Sequence, residues 1–178
     1  MKKSEMKELF KNSISSRPIL ELRMKYDAYE RYCFPLKAGD KLFMYAKEDD
    51  FILDGFSIRR FRDLKKIGTF KNACRRIVEK EGVLEGLSFP DIDLTDWRSV
   101  FLSLQAYGKN IIIEHAGKDD EDWDFWIGRI VKVLKNKVVF KHFDADGVWV
   151  DEPYDIPYSY ITNVSFDSRY VTVFSKYV

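Results

Sequence analysis

The sequence predicts a mainly β protein with flanking helices (α+β), arranged as two tandem units of one helix followed by five short strands. Short runs of alternating apolar and polar residues are separated by polar or glycine-containing turns, which is typical of antiparallel strands. Two amphipathic helical patterns each precede such a series, and the two series resemble each other in spacing. We therefore expect an N-terminal unit at residues 1–82, a connector at 83–94 and a C-terminal unit at 95–178.

The first unit is expected to begin with a helix over Ser4–Ile14, where apolar residues recur at spacings of three and four. A second helix is expected over Thr69–Glu81, with Thr69 as its N-cap and Gly82 as its end. Pro35 cannot donate a backbone hydrogen bond, so it predicts a sheet edge or a bulge. The intervening strands are expected at Ile19–Lys25, Tyr32–Lys37, Lys41–Ala46, Phe51–Ile58 and Leu64–Ile67.

The second unit is expected to begin with a helix over Thr95–Tyr107, ended by Gly108. A tight turn is expected at Asp144–Gly147, where Gly147 supplies the positive φ. Strands are expected at Asn110–His115, Trp123–Leu134, Lys137–Phe143, Val148–Val150, Tyr160–Phe166 and Tyr170–Tyr177.

A faint repeat relates the two units. Lys41 and Ile67 lie 26 residues apart, and the corresponding Lys137 and Val164 lie 27 apart. This agreement predicts an internal duplication, with chance similarity between two hairpin series as the alternative.

The residues of the second unit resemble a known fold family. Over 106–178, the Ile127–Ile130 step, the Asp146-Gly147 turn and the closing strand Ile161–Val164 fall where Sm-like (LSm-type) proteins place their strands and turns. The resemblance implies two tandem Sm-like small β-barrels. The RNA-binding loops of that family carry an Asp with a following Asn, and an Arg-Gly pair. Neither motif occurs in this chain, so those RNA-binding residues are not carried over.

The composition, 46% hydrophobic and 16% aromatic, is typical of a folded globular protein. The two cysteines, Cys33 and Cys74, form no CxxC pair, which predicts reduced thiols and no disulfide or zinc site. The N-terminal residues lack the apolar core of a secretory signal, and no apolar run approaches the ~20 residues that a membrane span needs. We therefore expect a cytoplasmic, soluble protein without membrane contact.

The charges are unevenly distributed along the chain. Residues 59–80 hold nine Lys/Arg against two acids, whereas residues 81–124 hold three Lys/Arg against eleven acids. Clustered cations with an interleaved aromatic suit a phosphate backbone, although a solvated face is the alternative. The candidate residues for nucleic-acid binding are Arg59, Arg60, Arg62, Lys65, Lys66, Arg75 and Arg76.

Signals for chemistry are weak. The acidic run Asp119–Asp122 lacks the spacing of a calcium loop, and a solvated turn is the favoured interpretation, so no metal or cofactor is predicted. His142 with Asp144 or Asp146 could form a general base, but no nucleophile motif accompanies it. The sequence predicts no catalytic residue and therefore no enzyme.

Aromatic residues are dense in the second unit. Tyr154, Tyr158 and Tyr160 predict an exposed contact surface, whereas the tryptophans are expected in the core or in packing between the two barrels. We therefore expect a non-enzymatic binding protein, chiefly a protein–protein interaction or regulatory module. The alternative function is binding of RNA or single-stranded nucleic acid. The expected partners are an unidentified protein, such a nucleic acid, or another copy of the chain in an oligomer.

Overall fold

The computed structural model describes residues 1–27, 29, 31–70, 73–117 and 122–178, except for the side chain of Cys74. The chain divides into two compact units, Met1–Phe89 and Pro90–Val178. The division falls inside the segment that the sequence predicts as a connector.

The first unit has five antiparallel strands in the order β5-β1-β2-β3-β4. The register shifts between Pro35 and Lys37, so the proline occupies one of its two expected settings, a bulge. Thr69 is the last residue of its strand and pairs with Leu20, so its predicted role as a helix cap is wrong. The described elements are α1 (Lys3–Asn12), β1 (Leu20–Met24), β2 (Arg31–Ala38), β3 (Leu42–Asp49), β4 (Ile52–Arg60), β5 (Leu64–Thr69) and α2 (Ala73–Lys80).

Helix α1 packs against the sheet of the first unit. Met6 and Phe10 are 4% and 0% exposed, and the ring of Phe10 lies 4.8 Å from that of Phe43. Phe43 in turn lies 4.7 Å from Phe61, which belongs to a 3₁₀ turn between β4 and β5. The predicted apolar face of the first helix therefore packs into this core.

The second unit has five strands in the order β10-β6-β7-β8-β9. Helix α3 buries four residues that recur at helical spacings of three and four, Trp97, Val100, Phe101 and Leu104. Asp96 caps this helix, because its carboxylate accepts a hydrogen bond from Ser99 N at 2.8 Å. The elements are α3 (Trp97–Tyr107), β6 (Ile111–Ala116), β7 (Trp123–Val133), β8 (Lys137–Phe143), β9 (Tyr154–Pro157), β10 (Asn163–Phe166) and α4 (Arg169–Phe174).

Two predicted strands of the second unit are wrong. Val148–Val150 forms only an isolated bridge from Trp149 to Phe143, because Asp144 accepts hydrogen bonds from the backbone of Asp146 and Val148 and extends the turn. The strand beside β8 is instead β9. The predicted strand Tyr170–Tyr177 contains helix α4.

The prediction of two small barrels is also wrong, because the sheet is open. Closing a barrel requires the two end strands to pair. Among the described residues, β5 does not pair with β4 in the first unit, nor β9 with β10 in the second. Inward and outward residues alternate in the same way in an open sheet and in a barrel, so the sequence pattern carries no information on closure. The fifth strand of each unit lies beside its first, and the internal duplication stays a prediction.

Within the described parts of the chain, no helix has the length and apolar character needed to cross a bilayer.

Candidate protein-contact surface

Helix α4 packs on one face of the sheet in the second unit. The strand register pairs Ile127 with Ile112 on one side and with Phe143 on the other, which places these three side chains on a common face. Val171 of α4 packs against them and is 2% exposed. Ser168 starts the helix by accepting a hydrogen bond from Val171 N at 3.4 Å. The anchored helix therefore brings the side chains that follow Ser168 onto this sheet face.

Four aromatic side chains form a row across α4 and β7, here called the aromatic row: Trp123, Phe125, Tyr170 and Phe174. The ring centroids of successive members lie 5.7, 6.2 and 5.8 Å apart. Trp123 and Phe125 share the face of Ile127, because side chains two residues apart on a strand point the same way. The row therefore runs from the middle of this face to the start of β7.

The aromatic row is buried at one end and exposed at the other. Phe174 contacts the buried Phe143, with ring centroids 4.9 Å apart. Trp123 and Tyr170 are each 55% exposed, which is unusual for side chains that bury large apolar areas in most proteins. Large exposed rings that are held by a packed base form a surface suited to contact another macromolecule.

The apolar surface extends beyond the aromatic row. Val173 in α4 is 40% exposed, and Tyr177, which follows α4, is 80% exposed. On the other side of Phe143, Trp149 lies 5.1 Å from it and has the Arg129 guanidinium 4.9 Å above its ring. The arginine places a cation beside this aromatic side chain.

Sequence reasoning missed this surface. It assigned Trp123 to the core or to packing between the two barrels, and the segment after Ser168 to a strand. One signal was present, because Tyr170, Val173, Phe174 and Tyr177 recur at spacings of three and four, which indicates a helix. The high strand propensity of the valines and tyrosines in this segment obscured that spacing.

The three tyrosines predicted as a contact surface have different surroundings. Tyr154 is 50% exposed, and its ring lies 4.9 Å from that of His142. Tyr158 is half-buried, stacks on Phe101 at 5.7 Å and donates a hydrogen bond to Leu134 O at 2.8 Å. Burial raises the pKa of Tyr158 to about 12. Tyr158 therefore has a packing role in addition to its predicted contact role.

Tyr160 is held by two neighbours. Its hydroxyl donates to Asp124 Oδ2 at 2.5 Å, and this hydrogen bond is the main cause that raises the pKa of Tyr160 to about 12. Its ring stacks on His115 with centroids 3.5 Å apart, while His115 Nδ1 lies 2.6 Å from Tyr160 O. The ring of Tyr160 is therefore fixed in place through its contacts with β6 and β7.

The basic stretch does not form one exposed surface. Arg59 and Arg60 are 6% and 7% exposed. Arg59 Nη1 lies 3.2 Å from Asp27 Oδ1, and Arg60 Nε donates to Asp63. Burial raises the pKa of the Asp27 carboxyl, but the charges of Arg59 and then Arg31 outweigh it and hold that pKa below its usual value. These two arginines neutralise buried carboxylates inside the first unit.

The other five candidates for nucleic-acid binding are exposed. Arg62 and Lys66 have side chains 66% and 55% exposed, and Lys66 lies 3.4 Å from Glu21. Arg75 pairs with Glu79 at 2.9 Å. Lys65 and Arg76 are also exposed. Neighbouring carboxylates therefore offset part of the positive charge that the sequence shows.

The groups considered for catalysis and metal binding are arranged as follows. Burial lowers the pKa of His142, and its Nδ1 has no hydrogen-bond partner among the described residues. Asp144 accepts hydrogen bonds from the turn backbone. Three members of the acidic run, Asp119, Asp120 and Glu121, lie outside the described residues. The described part of the chain contains no group of three or more His, Cys, Asp or Glu residues placed to hold a metal ion.

No protein-family model, curated protein or solved structure matches this chain. The resemblance of residues 106–178 to Sm-like proteins stays a prediction from the sequence.

Proposed function

We propose that this chain is a non-enzymatic protein-binding module whose partner protein docks on the aromatic row. The observation that carries the proposal is the exposure of Trp123 and Tyr170, at 55% each, in ring contact through Phe125. Tryptophan and tyrosine are enriched among the residues that dominate binding energy at protein interfaces. The proposal therefore assigns a role to two large rings that the packing of the unit leaves in solvent.

The packing beneath the row supports the proposal. Phe174 rests on Phe143, and Val171 anchors the same helix in the core. Rings held in this way lose little conformational freedom when a partner binds, so more of the contact energy contributes to affinity. A cytoplasmic location is part of the proposal and is supported by the free, buried thiol of Cys33.

The experiment compares the full chain with a Trp123→Ala/Tyr170→Ala variant as bait for proteins in a cell extract. Truncating an interface hot spot costs about 2 kcal/mol or more, so we expect retention of the partner to fall at least tenfold. Ile52→Ala is the matched control, because Ile52 is 55% exposed and lies in the other unit. Tyr154→Ala tests the tyrosine predicted from the sequence. Equal retention by the double variant and the Ile52 control, with both proteins folded, would refute the proposal.

Binding of RNA or single-stranded nucleic acid is the alternative function. The observation that favours it is the exposure of Arg62, Lys65 and Lys66 along the turn before β5 and on β5 itself. Such binding must weaken steeply with salt, because each neutralised phosphate releases counterions. Fluorescence anisotropy with mixed oligonucleotides, at low and physiological salt, tests it. An Arg62→Ala/Lys65→Ala variant leaves the buried arginines intact, so a loss of binding in this variant would not be due to misfolding.

A further inference from the structure

A cavity of about 340 Å³ lies within the first unit. It is bounded by the segment between α1 and β1, by β2, by α2 and by the turn after α2. Its volume falls in the range of small-molecule sites, about 300–1,000 Å³. Its lining residues fall into an apolar floor (Ile19, Phe34, Val78, Val83 and Leu84) and a polar rim (Ser16, Arg17, Arg75, Glu79 and Glu85).

The floor suits an apolar ligand body. Phe34 is 1% exposed, and Ile19 and Val78 are 3% exposed each, so these three residues of the floor are part of the core. Val83 and Leu84 are half-buried and follow the helix at Gly82, whose φ of +61° turns the chain back toward the strands. An apolar chain that entered here would remove Val83 and Leu84 from water.

One arginine of the rim, Arg17, has an unsatisfied donor. The Nε atom of Arg17 is buried and has no hydrogen-bond partner among the described residues. The guanidinium carbon lies 6.0 Å from the ring of Phe89. The backbone of Arg17 has a φ of +43°, an unfavourable conformation for a residue with a side chain. A buried donor without an acceptor is costly, and an anionic ligand would offset that cost.

The remaining rim charges leave room for one negative group. Arg75 and Glu79 pair at 2.9 Å and neutralise each other. Glu85 is exposed, so solvent screens its charge more than that of the half-buried Arg17. Its carboxylate lies against Gly82, where an added Cβ would come within 2.8 Å of Glu85 Cδ. Glu85 accepts no hydrogen bond from Arg17 Nε, so this donor is available to one anionic head.

We propose that this cavity binds a small amphipathic carboxylate, with its apolar chain against the floor and its carboxylate on Arg17. A guanidinium fork matches a carboxylate geometrically and forms charge-assisted hydrogen bonds with it. The site lies in the first unit and is independent of the aromatic row.

The test titrates octanoate into the full chain by two-dimensional NMR and calorimetry, with octylamine and octyl phosphate as matched probes. Saturable binding of octanoate, with much weaker binding of octylamine, is expected. Arg17→Gln should weaken octanoate binding roughly ten- to a hundredfold, because the variant loses a charge-assisted hydrogen bond to the carboxylate. Gln keeps an unbranched side chain at this position, so the backbone φ of residue 17 need not change. Glu85→Gln should strengthen octanoate binding. Arg76→Gln is the matched control. It removes an exposed arginine of α2 that does not line the cavity, so it should leave octanoate binding unchanged.

Several results would overturn the assignment. Equal binding of octylamine would show that the cavity does not select an anionic ligand. Binding of octyl phosphate alone would show that it selects a phosphate rather than a carboxylate. Absence of saturable binding to folded protein at millimolar octanoate would remove the site. Equal effects of Arg17→Gln and Arg76→Gln would assign binding to general surface charge. A Val83→Phe variant narrows the cavity directly, and unchanged binding by this variant would place the ligand elsewhere.

Discussion

Replacing Arg59 by Ala should destabilise the first unit because it leaves a buried carboxylate short of a partner. The Asp27 side chain is 8% exposed and is bonded to Arg59 at 3.2 Å and to Arg31 at 2.9 Å. Breaking a buried ion pair costs about 3–5 kcal/mol. Arg31 remains in the variant, so the lower end, about 3 kcal/mol, applies. This corresponds to an increase of about 150-fold in the equilibrium population of the opened unit.

Cys33 provides the assay for this prediction. All four tryptophans, at positions 97, 123, 126 and 149, belong to the second unit, so tryptophan fluorescence does not report on the first. Cys33 is 0% exposed in β2, and burial raises the pKa of its thiol, so it reacts with a thiol reagent only when the unit opens. In a Cys74→Ser background, Arg59→Ala should accelerate this reaction about a hundredfold. Arg62→Ala, which truncates a side chain that is 66% exposed, should change it little. Equal rates in the two variants would refute the reasoning.

The same pair predicts a loss of stability in acid. The pKa of Asp27 in the folded protein lies below its unfolded value, so its ion pairs stabilise the fold fully above about pH 4. That stabilisation is lost as the pH falls through the folded pKa. Urea unfolding followed by far-ultraviolet circular dichroism, at pH 6 and at pH 3, should show a smaller acid-induced loss in Arg59→Ala than in the wild type.

Two further predictions concern the second unit. Gly128→Ala should destabilise it by about 1–3 kcal/mol or more, because the added Cβ would lie 2.1 Å from Lys141 O. Gly68→Ala, which meets no atom within 4 Å, should be nearly neutral, and equal urea midpoints for the two variants would contradict this. Tyr160→Phe should cost about 1 kcal/mol at neutral pH by removing the hydrogen bond to Asp124. The pKa of Tyr160 is raised in the folded protein, so its hydrogen bond stabilises the fold below about pH 10 and is lost toward pH 12. Urea unfolding should therefore show this alkaline loss of stability in the wild type but not in Tyr160→Phe.

Most elements of the fold could be predicted because their patterns are local. Alternation along β1, and the spacing of three and four in α1 and α3, follow from which side chains one element buries. The bulge at Pro35 was foreseeable, since proline lacks the backbone donor that a regular ladder needs. The open edges of the sheet were not foreseeable, because closure of a sheet into a barrel depends on hydrogen bonds between strands that are distant in sequence.

The segment after Ser168 shows how tertiary packing overrides local preference. Valine and tyrosine favour strands, yet Ser168 caps a helix there and Val171 is buried against Ile127. Burial of that one side chain and satisfaction of the first helical donors outweigh a weak preference for the strand. As a result, the ring of Tyr170 contacts that of Phe125 and extends the aromatic row.

The sequence by itself determined the mainly β class, the succession of most helices and strands, and the presence of many cations between residues 59 and 80. Only the tertiary structure decided which of those cations face solvent. Arg59 is neutralised by Asp27, 32 residues away, and no local pattern links the two. Exposure is set by contacts between distant parts of the chain, whereas a sequence pattern records only what neighbouring residues share. For the same reason, the exposed end of the aromatic row and the unpartnered Arg17 became visible only once the units were folded.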